Sequence, residues 1–217
     1  MRSRFDEQLA QLNREMIEMG AQCEEVIALA SKALTEADMK LAAKVAPLSA
    51  DIDRKEREIE ALCLRLLLQQ QSVARDLRQI SAALKMITDL ERIGDQAEEI
   101  ADIIGFIDGH NPEDYVTLTE MAKAAIHMVT ESIDAYVKHD TILAEKVVDE
   151  DDIVDEYFLQ VKSKLIAKIA KDPDDGEYAL DLLMIAKYFE RIGDHAVNIA
   201  EWVVFAVTGV HKGEAKA

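Results

Sequence analysis

The sequence predicts an all-α protein made of two tandem antiparallel three-helix bundles that are related by internal pseudo-symmetry. Only three prolines and eight glycines interrupt the 217 residues. Between them, apolar residues recur at i, i+3, i+4 and i+7, which is the period of a helix with one buried face. An eleven-residue motif also occurs twice, beginning at Glu91 and again at Glu190. A motif repeated at this distance indicates a duplicated structural unit.

The breaks in the apolar pattern divide the chain into six helices. Proline inside a helix removes a backbone donor and clashes with the preceding turn, so we expect a kink or break near Val45–Pro47, within the second helix. Long helices with short connections pack as antiparallel bundles, which predicts one bundle over residues 1–108 and a second over 109–217. The predicted helices span residues 4–35, 37–70, 74–104, 113–138, 141–171 and 174–207.

Charge and composition exclude several classes of protein. The chain has 43 acidic and 25 basic side chains, a formal net charge of −18, so nucleic acid and anionic lipid would repel it. We therefore expect no direct nucleic-acid binding, and membrane contact only through protein partners. The 49% of hydrophobic residues is enough to build a core. Because no signal-peptide region or membrane-spanning apolar run is present, the predicted location is cytoplasmic.

The two cysteines do not indicate a metal site or a disulfide framework. Cys23 and Cys63 lie forty residues apart, without a CxxC spacing or a neighbouring histidine. We interpret both as small apolar residues inside helices.

The repeated motif places two carboxylates at an unfavourable spacing. Glu91 and Asp95 lie four residues apart on one face of the third helix, and Glu190 and Asp194 repeat this arrangement in the sixth. Like charges at this spacing destabilise a helix by a few tenths of a kcal/mol. Each copy also contains a mid-helix glycine, which costs about 0.5–1 kcal/mol relative to alanine. A close approach of another helix is the simplest reason for the glycines.

Two interpretations of these carboxylates stay open at the level of sequence. One is a solvated acidic face that was copied with the rest of the unit. The other is a pair of cation sites, in which each motif faces acids of the preceding helix around divalent or trivalent ions. Carboxylate ligands suit Mg, Mn, Ca or ferric Fe, and suit Zn less well. The candidate ligands are Asp51 or Asp53 with Glu91 and Asp95, and Asp151 and Asp155 with Glu190 and Asp194.

Histidines add little to these candidate sites. A ferritin-like di-iron site needs Glu-x-x-His, and no histidine of this chain has an acid three residues before it. His195 follows Asp194 directly and points about 100° away around the helix, so we interpret it as a packed or surface group, and a role as a ligand or beside the ligands is the alternative.

Together the motifs resemble the PhoU family of phosphate-uptake regulators, whose signature is the doubled Glu-Arg-Ile-Gly-Asp segment. The resemblance extends over almost the whole chain and includes Ile52-Asp53, the stretch Gln70-Gln-Ser-Val-Ala-Arg-Asp-Leu-Arg78 and Val154-Asp155-Glu156-Tyr157. Two positions differ from the family pattern. Ser49 replaces an acid and Ser72 replaces a proline, so only the second half keeps every expected acid.

The resemblance implies a non-enzymatic regulator, often a homodimer, that binds metal through its acidic motifs. It also implies negative control of phosphate import and of the phosphate-starvation response. The implied partners are the ATPase subunit of the phosphate ABC transporter and a phosphate-sensing histidine kinase. Two other classes stay open on the residues alone: a carboxylate-bridged metal-storage protein or metalloenzyme, and a simple helical scaffold.

Overall fold

Seven helices account for most of the residues that the structure describes. The computed structural model describes residues 2–68, 74–107 and 112–210, and no strand occurs within these ranges. The all-α prediction is therefore confirmed. A 3-10 turn, Pro173–Asp175, leads into the last helix. The helices are α1 (Arg2–Glu36), α2 (Met39–Ala42), α3 (Val45–Leu67), α4 (Ala74–Ile104), α5 (Pro112–Lys138), α6 (Thr141–Lys171) and α7 (Gly176–Thr208).

The second predicted helix is divided into α2 and α3, as the position of Pro47 suggested. The break falls at Ala43 and Lys44, just before the first turn of α3. Pro47 is the third residue of α3, where the backbone N–H groups have no acceptor within the helix in any case. Starting the helix two residues before the proline removes the clash that a continuous helix would create.

The same turn precedes the second helix of each half. Ala37 and His139 both have positive φ, 49° and 54°, and the next residue in each case caps a helix. Asp38 Oδ1 accepts hydrogen bonds from the N–H groups of the second and third residues of α2. Asp140 Oδ1 does the same for α6, at 3.0 Å in both bonds. The duplication therefore includes the turns as well as the helices.

The helices form two layers. One layer follows the order α3, α4, α7, α6, and behind it α1 packs on α3 and α4 while α5 packs on α6 and α7. The two halves meet where α4 contacts α7 and where α1 contacts α5. The apolar positions of both motif helices are buried, as predicted: Leu90, Ile93, Ala97, Ile100 and Ile104 in α4, and Phe189, Ile192, Ala196, Ile199 and Val203 in α7.

Polar contacts show that α4 and α7 run antiparallel. Asp89, early in the motif region of α4, contacts His195 and Asn198, which lie late in α7. Tyr188 of α7 donates in turn to Glu99, further along α4. A pseudo-symmetry axis between α4 and α7 relates the contact of Asp89 with Asn198 to the contact of Glu99 with Tyr188. This is the pseudo-symmetry that the repeat predicts.

A single cluster of buried apolar side chains extends through both halves. The predicted boundary between residues 108 and 109 lies outside the described residues, so the division into two domains stays a prediction. None of the helices in the described ranges is both long enough and apolar enough to cross a bilayer.

Both cysteines are free and fully buried. The Cys23 thiol donates to the carbonyl oxygen of Leu90 at 3.3 Å. Burial raises the pKa of both thiols, that of Cys63 to about 12. Their interpretation as small apolar residues is confirmed.

Candidate metal centres

The first cluster of carboxylates lies between α3 and α4. Asp53, Glu91 and Asp95 each offer one oxygen, and these three atoms lie within 4.8 Å of one another. All three side chains are partly buried. Hard cations take carboxylate oxygens at about 2.0–2.6 Å, so one ion could contact all three residues.

The charge balance of this α3/α4 cluster favours a cation. Asp53 Oδ1 is buried and has no hydrogen-bond partner among the described residues. Burial raises the pKa of Glu91, and the neighbouring carboxylate of Asp95 raises it further, against the opposing effect of Arg92. The Arg92 guanidinium lies 2.8 Å from Asp95 and 3.4 Å from Glu91, but it is half-exposed. One half-exposed guanidinium is therefore shared between two carboxylates.

Glu56 belongs to the same neighbourhood, although sequence reasoning missed it. It lies one turn after Asp53 on α3. Burial and the charges of Glu60 and Asp53 raise its pKa, and its own charge in turn raises the pKa of Glu91. The i, i+3 spacing from Asp53 is the signal that could have identified it. Asp51, the alternative to Asp53 in the sequence, instead pairs with Arg54.

The second cluster of carboxylates lies between α6 and α7. Burial raises the pKa of Asp151 to about 6, and the charges of Asp155, Asp194, Asp152 and Glu190 contribute to the shift. Asp151 Oδ1 is buried and has no hydrogen-bond partner among the described residues. The structure thus brings the four predicted acids of the second half into one neighbourhood around Asp151.

This α6/α7 cluster is more open than the α3/α4 cluster. Its four predicted acids are not among the described groups in which three ligand atoms lie within 4.8 Å of one another. Asp155 and Asp194 are exposed, and Glu190 forms an ion pair with Lys187. The Lys187 ammonium also lies 5.6 Å from the centre of the Phe158 ring. A lysine therefore supplies the counter-charge that a metal ion would otherwise supply.

The glycine of each motif marks a close approach between helices. A Cβ on Gly94 would lie 3.2 Å from Ile52 Cδ1 and 3.4 Å from Ser49 Oγ. A Cβ on Gly193 would lie 3.2 Å from Asp151 Oδ1. Ser49 and Asp151 are equivalent in the repeat, so each half packs the same position of the preceding helix against its glycine. The sequence interpretation of the two glycines is confirmed.

His195 contacts a residue of α4 that is not a candidate ligand. Its Nδ1 lies 2.9 Å from Asp89 Oδ1, at the contact between α4 and α7. This agrees with its interpretation as a packed group.

A further polar group, on α5 and α6, was not predicted. His127, Glu131 and Glu150 place three ligand atoms within 4.8 Å of one another. Lys146 already contacts both carboxylates, at 2.8 and 3.1 Å. We therefore interpret this group as an ion-pair network between the two helices.

Comparison with known proteins identifies the fold that carries these clusters. The model of the PhoU domain matches the chain twice, over residues 16–104 and 118–203. The chain belongs to the PhoU family. The first match extends from α1 to α4 and the second from α5 to α7, so the two PhoU repeats coincide with the two halves described above.

Individual relatives match over nearly the full length. The phosphate-specific transport system accessory protein PhoU homolog of Clostridium acetobutylicum is 33% identical over 94% of both chains. The Pseudomonas aeruginosa homolog is 34% identical, over 94% of this chain and 86% of its own.

Solved PhoU structures have the same fold. The crystal structure of PhoU from Pseudomonas aeruginosa has a TM-score of 0.89 at 34% identity, and the match covers 95% of this chain and all of that one. The phosphate transport system regulatory protein PhoU from Streptococcus pneumoniae has a TM-score of 0.87 at 26% identity, with 95% and 98% covered.

Proposed function

We propose that this chain is an accessory regulator of a phosphate-specific transport system and that it binds metal ions at its two carboxylate clusters. The observation that carries the proposal is the pair of motif clusters, each with a buried carboxylate oxygen that lacks a partner among the described residues. They lie on a fold shared over most of its length with proteins named as accessory proteins of phosphate-specific transport.

A divalent or trivalent ion (Mg, Mn, Ca, Fe or Zn) is the group that would satisfy these oxygens. In the first half Asp53, Glu91 and Asp95 would hold it, with Glu56 close by. In the second half the ligands would be Asp151, Asp155, Glu190 and Asp194, once Lys187 releases Glu190. A bound ion supplies positive charge to a strongly acidic surface, and in this proposal the altered surface changes the affinity for protein partners.

The proposed partners are the ATPase subunit of the phosphate ABC transporter and a phosphate-sensing histidine kinase. Through them the protein, acting as a cytoplasmic homodimer and without catalysing a reaction, would restrain phosphate import and the phosphate-starvation response. The names of the relatives support the link to phosphate transport. The charge of −18 supports reaching the membrane through protein partners, because an acidic surface is repelled by anionic lipid.

Metal analysis of the purified protein tests the cluster part of the proposal. We expect wild-type protein to retain metal after gel filtration, and the double variant Asp95→Asn with Asp194→Asn to lose most of it. Asp102→Asn, at an exposed position of α4, is the control and should keep the wild-type content. Equal metal content in all three proteins would refute metal binding at the motifs.

A deletion strain tests the regulatory part. We expect excess phosphate uptake and expression of phosphate-starvation genes in phosphate-rich medium, both reversed by the wild-type gene. A pull-down from the complemented strain should recover the transporter ATPase. Normal phosphate control in the deletion strain would overturn the regulatory proposal and leave the metal result intact.

A further inference from the structure

A cavity of about 370 Å³ lies at the end of the bundle where α4 begins and where α5 and α7 end. Its lining includes Arg75 and Gln79 of α4, His139 after α5, and Ala206 and Val207 of α7. Arg75 and Glu91 are 16 residues apart on α4, which is about 24 Å along the helix axis. The cavity is therefore separate from the carboxylate clusters.

The described residues that line this cavity include Arg75 and His139 and no carboxylate, although the chain as a whole is acidic. Among the described residues, no carboxylate pairs with Arg75 or with Arg78 one turn further along α4. Arg78 Nε is buried without a hydrogen-bond partner among those residues, and the side chain packs beside Gly209 at the end of α7. Burial lowers the pKa of His139, and the positive charge of Arg75 lowers it further.

The acid that follows His139 is engaged by the next helix. Asp140 follows His139 directly, but its Oδ1 accepts hydrogen bonds from the first turn of α6, at Ile142 and Leu143. A carboxylate that caps a helix in this way is held towards that helix. The cavity thus combines the exposed guanidinium of Arg75, which has no carboxylate partner among the described residues, and the imidazole of His139 with an apolar wall.

We propose that this cavity binds a small molecule that carries a phosphoryl-type oxyanion. The planar guanidinium of Arg75 suits bidentate pairing with such an anion, and the imidazole of His139 can donate a further hydrogen bond. The apolar wall of Ala206 and Val207 accommodates the less polar part of the ligand. The cavity volume is within the range of about 300–1,000 Å³ that is usual for small-molecule sites, which exceeds what inorganic phosphate alone needs.

Calorimetric titration of the full chain in EDTA tests this site. EDTA removes metal, so an anion carried by an ion at the carboxylate clusters cannot produce the signal. The probes are phenyl phosphate, inorganic phosphate and phenol. We expect saturable binding of phenyl phosphate, weaker binding of inorganic phosphate, and no binding of phenol, which lacks the anion.

Variants assign the binding to the cavity. Arg75→Gln and His139→Asn should each weaken phenyl phosphate binding about tenfold or more, since each removes a donor to the anion. Asparagine is chosen because it tolerates the positive φ of His139. Lys123→Gln removes one charge from an exposed position of α5 and should bind like wild type. Circular dichroism checks that every variant is folded.

Three results would overturn the proposal. They are the absence of binding by both phosphate probes, wild-type affinity in both Arg75→Gln and His139→Asn, and loss of binding in the Asp95→Asn, Asp194→Asn double variant under EDTA. Metal content and phosphate control in the deletion strain are measured independently. Failure of this site therefore leaves the proposed regulatory function untouched.

Discussion

The protonation of Asp151 depends on its surroundings. Its pKa is raised to about 6 from the usual 3.8, first by burial and then by neighbouring carboxylates. The folded protein therefore holds a proton at this site over a pH range in which the unfolded chain has released it. In metal-free protein this residue lowers stability as pH rises from about 4 through 6, because the unfavourable ionised form becomes the populated one.

Asp151→Asn removes that ionised form. We expect a higher melting temperature for the metal-free variant than for wild type at pH 7.5. The gain should be smaller at pH 5, where Asp151 of the wild type is mostly protonated. Thermal unfolding followed by circular dichroism in EDTA measures both. Asp102→Asn, an exposed change of the same kind, should shift the melting temperature little, and a lower melting temperature for Asp151→Asn at pH 7.5 would contradict the assignment.

Gly193 and Gly94 allow the two clusters to be perturbed separately. In Gly193→Ala the new Cβ would lie 3.2 Å from Asp151 Oδ1, so the carboxylate must move away from its position in the α6/α7 cluster. In Gly94→Ala the nearest atoms belong to Ile52 and Ser49, which are not candidate ligands. We expect Gly193→Ala to weaken metal binding more than Gly94→Ala does, as measured by calorimetric titration with Mn²⁺. Equal losses would show that the carboxylate of Asp151 does not contribute.

For single residues, the sequence could predict which acids form the candidate metal centres, because the motif that contains them occurs twice. It could not predict how they are paired. The i, i+3 spacing of Lys187 and Glu190 allows their ion pair, but the contact of Lys187 with the Phe158 ring depends on how α6 and α7 pack against each other. Glu56 was not predicted as a candidate ligand. Phe158 stands at the equivalent position of the second half, so the repeat gave no support for a ligand there.

Helix boundaries followed from the sequence because their signals are local. Asp140 is a strong N-cap, and α4 begins and ends at the predicted residues. The predicted end of the second helix and the predicted start of the last helix were less accurate: α3 ends at Leu67 rather than at residue 70, and α7 begins at Gly176 rather than at residue 174. Pro173 opens a 3-10 turn before Gly176, and the choice between a 3-10 and an α-helical first turn depends on packing as well as on local residues.

Gly20 tests the contact between the first helices of the two halves. A Cβ at this position of α1 would lie 2.9 Å from Ile133 Cγ1 of α5, closer than carbon atoms normally approach. Gly20→Ala should therefore destabilise the protein by about 1–3 kcal/mol through overpacking, despite the better helix propensity of alanine. Each kcal/mol corresponds to about 2–4 °C in melting temperature for a chain of this size.

Gly176→Ala is the matched control for this change. Gly176 begins α7 with helical dihedral angles, and a Cβ there would meet no atom within 4 Å. The substitution should raise stability by up to about 1 kcal/mol, because alanine restricts the unfolded chain. If Gly20→Ala were as stable as Gly176→Ala, α1 and α5 would not be in the close contact described above.

For the whole molecule, the duplication was readable from the sequence, but the way in which the halves join was not. The apolar faces of α4 and α7 could each have been satisfied within a single bundle. Instead the two helices lie side by side, with Asp89 reaching His195 and Asn198 across the contact. The spacing of apolar residues within one helix does not show which neighbouring helix packs against them. The sequence alone could therefore not predict that α4 and α7 lie side by side.

The joined core predicts that the two halves unfold together. Buried side chains of α1 and α5, and of α4 and α7, belong to one continuous cluster, and separating the halves would expose that surface to water at a cost proportional to its apolar area.

Trp202, the single tryptophan, reports on the second half, whereas far-UV circular dichroism reports on all helices. Urea unfolding followed by both signals should give coincident curves with one midpoint. Fragments 1–108 and 109–217 should each be less helical alone than within the full chain, because each exposes the face that its partner covers. Two separate midpoints, or a fragment that keeps its full helix content and unfolds cooperatively, would show instead that the two repeats are independent domains.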